Sequence, residues 1–310
     1  MDLFTERLDR LLQVLGAAPF RVEHLLYLSA ITAAMLGIDL LASGWQRSAL
    51  ARLWGPDPSA RNDLWAWGIE AFGLFNLIGL VLSLGLCYYL AGVVQRHVHL
   101  DLTLPHPHLQ FVLVYLAADL KNYFRHYVFH RSSTLWELHA FHHSATSFTL
   151  LTRQRGHFME TEISRFFDIL PFALLGAPAQ SYFALVALNE AHQLLLHSGS
   201  TSTWGCVGKY ILVSPAAHTL HHSIEERHHD RNYGSTFIFW DRLFGTYHAP
   251  EPVAAIGIRN NPFNRKGYVH DILLAQRRFL AHLIGRKRAN PPGPPVYRDG
   301  AVAGTDQPPV

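Results

Sequence analysis

The chain has 310 residues, of which 49% are hydrophobic and only 16% charged, with a formal charge of +3. A soluble domain carries about 25% charged residues, and no basic stripe interleaved with aromatics occurs, so the composition leans away from a soluble globule and from a nucleic-acid binder. Its 21 histidines stand against two well-separated cysteines, Cys87 and Cys206, which leaves nitrogen and oxygen as the donors for any metal.

In chain order, residues 1–24 read as a short amphipathic segment. Asp2, Glu6, Arg7 and Arg10 alternate with Leu8, Leu11, Leu12 and Leu15, unlike the basic-then-apolar layout of a cleaved signal peptide. Residues 25–44 are apolar except for Asp39, and residues 71–94 carry no charge; both are long enough to cross a bilayer. Residues 109–118 begin as another span, but the same helical run then acquires Asp119, Lys121, Arg125 and His126, so its lower end leaves the lipid. Residues 169–196 are apolar but interrupted by Pro171, Gly176 and Pro178, which predicts a helical hairpin rather than one straight helix.

The reading is therefore an all-α, polytopic membrane protein with about four transmembrane helices and a polar, His-rich cap built from residues 131–165 and 198–287. The cap is rich in arginine, whereas loop 95–108 holds only Arg96, and positive-inside bias then puts the cap in the cytoplasm. After Asp271, Leu273, Leu274, Phe279, Leu280 and Leu283 alternate with Arg277, Arg278, Arg286, Lys287 and Arg288, a pattern that suits an anionic membrane surface. The Pro- and Gly-rich stretch 290–310 reads as disordered. The expected organisation is an amphipathic segment 1–24, membrane helices and loops 25–108, a catalytic domain 109–250, a basic segment 251–289 and a tail 290–310.

Three histidine clusters stand out: His126-x3-His130, His139-x2-His142-His143 and His218-x2-His221-His222. Spacings of three and four return to one helix face, so each cluster is expected to aim its imidazoles at one point. Eight donors exceed the coordination number of one ion, which predicts two metals. At the chain's own histidine frequency, H-x-x-H-H is expected about 0.1 times in this length, yet it occurs twice. Packing or solubility gives no reason for such repetition at the end of a membrane helix. His24, His97, His99, His106, His108, His248, His270 and His282, by contrast, read as ordinary single histidines.

These boxes resemble those of the fatty acid hydroxylase / sterol desaturase superfamily. The first is Asp119-Leu-Lys-Asn-Tyr123-Phe-Arg-His126-Tyr-Val-Phe-His130-Arg131, and the second Leu135-Trp136-Glu-Leu-His139-Ala-Phe-His142-His143-Ser144. The last is Pro215-Ala-Ala-His218-Thr-Leu-His221-His222-Ser223, followed by Asp230-Arg-Asn232-Tyr233-Gly234 and Trp240-Asp241-Arg-Leu-Phe244-Gly245-Thr246-Tyr247. The resemblance spans residues 111–247. It implies one or two further histidine ligands on the helix returning to the cap, where His192 and His197 stand; their spacing of five separates them by about 140° on a helix, and His197 is the better match. It also aligns Arg155-Gly-His157-Phe158-Met-Glu160 with the family's Arg-x-His-Pro-x-Glu, Phe158 replacing proline, so that His157 and Glu160 are candidates to support the ligands. Asp119, Asp230, Asn232 and Asp241 are further candidates, because a ligating imidazole donates its other N–H to an acceptor. His228 and His229 fit either a ligand pair or a solvated loop.

What the resemblance implies chemically is a membrane-bound oxygenase in which two iron ions activate dioxygen to hydroxylate or desaturate an unactivated C–H bond of a lipid, sterol or fatty acyl. Electrons would come from a separate cytochrome, ferredoxin or reductase, since no haem, flavin or dinucleotide motif and no ferredoxin cysteines occur. Two other classes share a His-rich look. A zinc-dependent membrane hydrolase normally has H-E-x-x-H, which is absent, and a metal transporter places ligands between repeated helices, of which no internal repeat is found.

Overall fold

The computed structural model describes residues 22–82, 104–168 and 179–285, together with positions 89, 90, 93, 97 and 175. The amphipathic segment up to residue 21, most of 83–103, most of the first arm of the expected hairpin, Arg286, Lys287, Arg288 and the tail lie outside the described residues. Among the described residues the fold is all-helical, with two isolated antiparallel bridges, Leu212 to Phe237 and Ser223 to Ile256, in place of a sheet.

The principal helices are α1 (Val22–Ser43), α2 (Pro58–Ala71), α3 (Leu74–Leu82), α4 (Pro107–Arg131), α5 (Ser133–His143), α6 (Phe158–Asp168), α7 (Ala179–Leu196), α8 (Pro215–His221) and α9 (Tyr268–Leu283). Within α1, Leu25–Ser43 is long and apolar enough to cross a membrane by length and composition, the one such helix among the described residues. It leaves Leu26, Ile38 and Leu41 exposed, as a lipid-facing helix would. Asp39, the polar exception, is satisfied locally: its carboxylate accepts the backbone N–H of Ala49 at 2.6 Å, at the start of the short helix Ala49–Trp54.

The helices that carry the histidines start on good caps. The Ser132 side chain accepts the N–H of Leu135 at the head of α5, and Ser214, followed by Pro215, accepts the N–H of Ala217 at the head of α8. The 25 residues of α4 make a rod about 37 Å long that joins the apolar and polar halves of the fold. Its first half exposes Leu109 and Val112 and packs Val114 against Leu175 and Leu185, while its second half brings His126 and His130 into the cap. Buried Asp119, between the halves, accepts the N–H groups of Thr236 and Phe237 and the indole N–H of Trp240 at 2.8–3.0 Å, pinning that loop to α4.

Two buried polar hubs tie the cap together. Arg155, fully buried, pairs with fully buried Asp63 of α2 at 2.6 Å. It also donates to Ser59, Ser144 and Asn264, while Asp63 accepts the hydroxyls of Thr149 and Thr152 at 2.6 Å. The second hub lies between α5 and α9, which pack along each other: Arg278 meets Glu137 at 2.5 Å, with His282 at 3.2 Å. The reading of residues after Asp271 as a surface segment is corrected at two positions, Arg278 and Phe279. Both face inward with Tyr268, Ile272 and Ala275, while the opposite stripe of Val269, Leu273, Arg277, Leu280 and Leu283 is exposed. The buried carboxylate of Glu137 supplies the partner that lets an arginine point into a core.

Candidate metal centre

Nine imidazoles gather in the cap. Ligand nitrogens of His126, His130, His143 and His221 lie within 4.8 Å of one another, as do those of His142, His197, His218 and His222. The donors come from α4, α5, the residue after α7, and α8 with its C-cap. The expectation that each box aims at one point is corrected: adjacent helical residues diverge by about 100°, so His142 and His143 face different groups, and so do His221 and His222. His139 belongs to neither four, but its ring lies 4.9–5.3 Å from those of His126, His130, His142 and His143.

The hydrogen bonds fix which nitrogen is free. His126 donates its Nδ1–H to Tyr233 O at 2.9 Å, His221 to Arg231 O at 2.7 Å, His197 to Gln193 O at 2.8 Å and His142 to Arg155 O at 3.3 Å. A carbonyl can only accept, so each Nδ1 carries the proton and each Nε2 presents a lone pair. His139 is oriented likewise by the Glu160 carboxylate at 2.9 Å. The Nε2 atoms of His126, His130, His139, His143 and His221 are buried with no hydrogen-bond partner, and neither ring nitrogen of His222 has one. His197 Nε2 lies 3.0 Å from His218 Nε2 and 3.4 Å from His142 Nε2.

A neutral His218 with its proton on Nε2 can bridge to His197, but the other converging lone pairs repel unless a cation sits among them, and charging the imidazoles is disfavoured. Burial, reinforced by the neighbouring imidazoles, holds His126, His130, His142, His143, His197, His218 and His222 well below the usual histidine range, and burial takes His221 down to about 3. Neutral nitrogens about 2.0–2.1 Å from a shared ion would stand about 3.0–3.4 Å apart, the separation seen around His197. The donor set thus fits two nitrogen-ligated transition-metal ions. Trp136, Phe148 and Tyr233 wall the cluster with aromatic rings and keep water out.

The remaining candidates sort by what they touch. Glu160 meets an imidazole directly; burial alone would raise its carboxyl, but His139 beside it holds it below its ordinary value. Asp119, Asp230, Asn232 and Asp241 do not touch an imidazole and act through backbone instead. Arg231 and Tyr233 present the carbonyls that orient His221 and His126, and the residue immediately before each, Asp230 and Asn232, takes a positive φ of 59° and 56°, a conformation Asp and Asn tolerate. Asp230 accepts the Tyr233 hydroxyl, and Asn232 bonds to Ala217 and His248. Asp241 accepts the N–H groups of Tyr233 and Gly234 and the Thr246 hydroxyl at 2.7–2.8 Å. Replacing Asp241 by alanine should free this turn and weaken metal binding by roughly 10- to 100-fold, measured by competition with a chelator of known affinity.

Two placements differ from expectation. His192 donates Nε2–H to Val213 O at 3.0 Å and lies against Trp204, outside both groups, because it projects from another side of α7 than His197. His157 caps α6, accepting the N–H of Met159 and donating to Ile272 O. Phe158 then occupies the first helical position, which suits proline equally well, and buries its ring in the core. The orienting carbonyls of Arg155, Gln193, Arg231 and Tyr233 escaped the sequence reading, since every residue has a carbonyl and no side-chain pattern marks which ones face inward.

Residues 111–246 match the family model described as fatty acid hydroxylase. Among curated proteins the chain is similar to ornithine lipid hydroxylase OlsE of Rhizobium tropici, at 31% identity over 51% of each chain. Alkylglycerol monooxygenase of Xenopus tropicalis is 31% identical over 49% of this chain and 33% of its own. A Delta(7)-sterol 5(6)-desaturase of Gibberella zeae is 29% identical over 46% of this chain and 38% of its own. The chain therefore spans about half the length of the first relative and less of the other two. No solved structure matches.

Proposed function

Because the chain belongs to the fatty acid hydroxylase / sterol desaturase superfamily, we propose that it is an integral-membrane di-iron oxygenase that hydroxylates or desaturates a lipid C–H bond, sterol or fatty acyl, with dioxygen. The observation that carries the reading is the pair of four-histidine groups whose free nitrogens converge in a buried, aromatic-walled site. His126, His130, His143 and His221 would hold one iron and His142, His197, His218 and His222 the other, with His139 beside both. Iron bound there supplies the redox reaction with dioxygen that no side chain can perform.

The protein's own part is to bind, orient and exclude water. Backbone carbonyls and Glu160 fix the proton on Nδ1 of His126, His139, His142, His197 and His221, so these five Nε2 donors are set before any metal arrives. The polar and apolar halves of α4 provide the route for substrate. Val112 and His126 are separated by about 21 Å of helix, so an acyl chain lying along α4 reaches the cap without crossing water. In this reading about four helices cross the bilayer, residues 109–250 form the catalytic domain, and the cap faces the cytoplasm, where a separate cytochrome, ferredoxin or reductase delivers electrons.

Lipid profiling tests this. Membranes containing the protein, an electron donor and isotopically labelled dioxygen should yield a lipid that gains one labelled oxygen or loses two hydrogens, and His142→Ala should yield neither. Oxygen entering the product from water instead would identify a hydrolase and overturn the assignment.

A further inference from the structure

A third group of ligating atoms lies outside the nine imidazoles. His228, His248 and Glu251 bring two ring nitrogens and a carboxylate oxygen within 4.8 Å of one another on loops after the last box. His228 is fully buried, whereas the Glu251 side chain is 35% exposed. We propose that these three residues form a separate site for a single divalent transition-metal cation, zinc in the first instance, that staples loop 248–257 to loop 222–228.

Three features support a built site. His248 donates Nδ1–H to Ala249 O at 2.9 Å, so its Nε2 presents a lone pair, the same arrangement that frees Nε2 in His126, His142, His197 and His221. Its backbone is clamped on both sides by buried Asn232, whose side chain accepts the His248 N–H at 2.8 Å and donates to the His248 carbonyl at 3.0 Å. His228 is held at both ends, Nδ1 against Ser223 Oγ at 2.9 Å and Nε2 against Glu251 Oε1 at 2.6 Å.

The hydroxyl of Ser223 serves either tautomer of His228. Without metal, Nε2–H donates to Glu251 and Nδ1 accepts from Ser223. With metal, the proton resides on Nδ1 and is donated to Ser223, leaving Nε2 and the Glu251 carboxylate as ligands. Two imidazoles and one carboxylate form a ligand set that suits zinc, with water completing the tetrahedron at the exposed end. Arg227, 3.0 Å from Glu251, is itself 59% exposed and can swing away as the cation arrives.

The two loops already run side by side: Gly257 N–H donates to His222 O and Ile224 N–H to Ala255 O. A cation would lock that pairing immediately beside His222. The test is metal analysis and zinc titration of the full chain, purified in detergent, against a chromophoric chelator. Unaltered protein should hold one more zinc per chain than His248→Ala, and Glu251→Gln should bind that zinc at least about tenfold more weakly, with iron content the same in all three. Equal zinc content and affinity in unaltered protein and both variants would overturn the site. So would failure of the unaltered protein to hold any zinc that these variants lack. Both variants lie at the rim of the loops, and the milder Glu251→Gln keeps the test open if His248→Ala folds poorly.

Discussion

His142→Ala is expected to leave the protein with one iron ion per chain where the unaltered protein should hold two, and His143→Ala should remove the other iron. The two residues are consecutive, yet their nitrogens join different groups of four. Each substitution strips one donor from one centre and leaves the second centre's set complete. Loss of a direct ligand should exceed the roughly 10- to 100-fold cost of losing a residue that merely orients one, and turnover should fall by more than about 100-fold in both cases. Iron content by elemental analysis, together with a double variant that holds neither iron, checks the assignment. If both single variants lost both ions together, or neither lost any, the division into two centres would be wrong.

The second large effect concerns stability. Asp63→Ala is expected to destabilise the fold by about 3–5 kcal/mol, because it leaves the guanidinium of Arg155 charged and uncompensated in the interior. Both side chains are fully buried and meet at 2.6 Å. The loss should be smaller in Asp63→Ala/Arg155→Met than in the single variant, since removing both partners removes the unpaired charge. Thermal denaturation of the three proteins in one detergent measures this. Additive losses in the double variant would show that the pair is not coupled. Because Arg155 also presents the carbonyl that orients His142, the single variant should lose metal from the group containing His142 as well.

Much of the fold and centre is legible in the chain. The apolar stretch at 25–44 becomes α1, and the run that starts at 109 and turns polar at Asp119 becomes α4, because bilayer-length apolarity and helical period are local properties. The three histidine boxes are visible because ligand chemistry restricts residue type, and four of the donors sit where a spacing of three or four predicts. What stays hidden is long-range. Which of two adjacent histidines joins which group depends on helix rotation set by packing, not on spacing. Arg278 reads as a surface cation until Glu137, far away in sequence, is placed opposite it. His248 reads as an ordinary histidine until a loop brings it to His228, 20 residues earlier in the numbering.

The adjacency of His142 to His143, and of His221 to His222, has a mechanical consequence. Consecutive Cα atoms are held about 3.8 Å apart by covalent bonds that do not stretch, so two peptide units span the gap between the neighbouring groups and serve as its gauge. Breathing of the surrounding helices would carry both members of each doublet along together. In the proposed two-ion site, the spacing between the ions would then be limited by these covalent links as well as by packing.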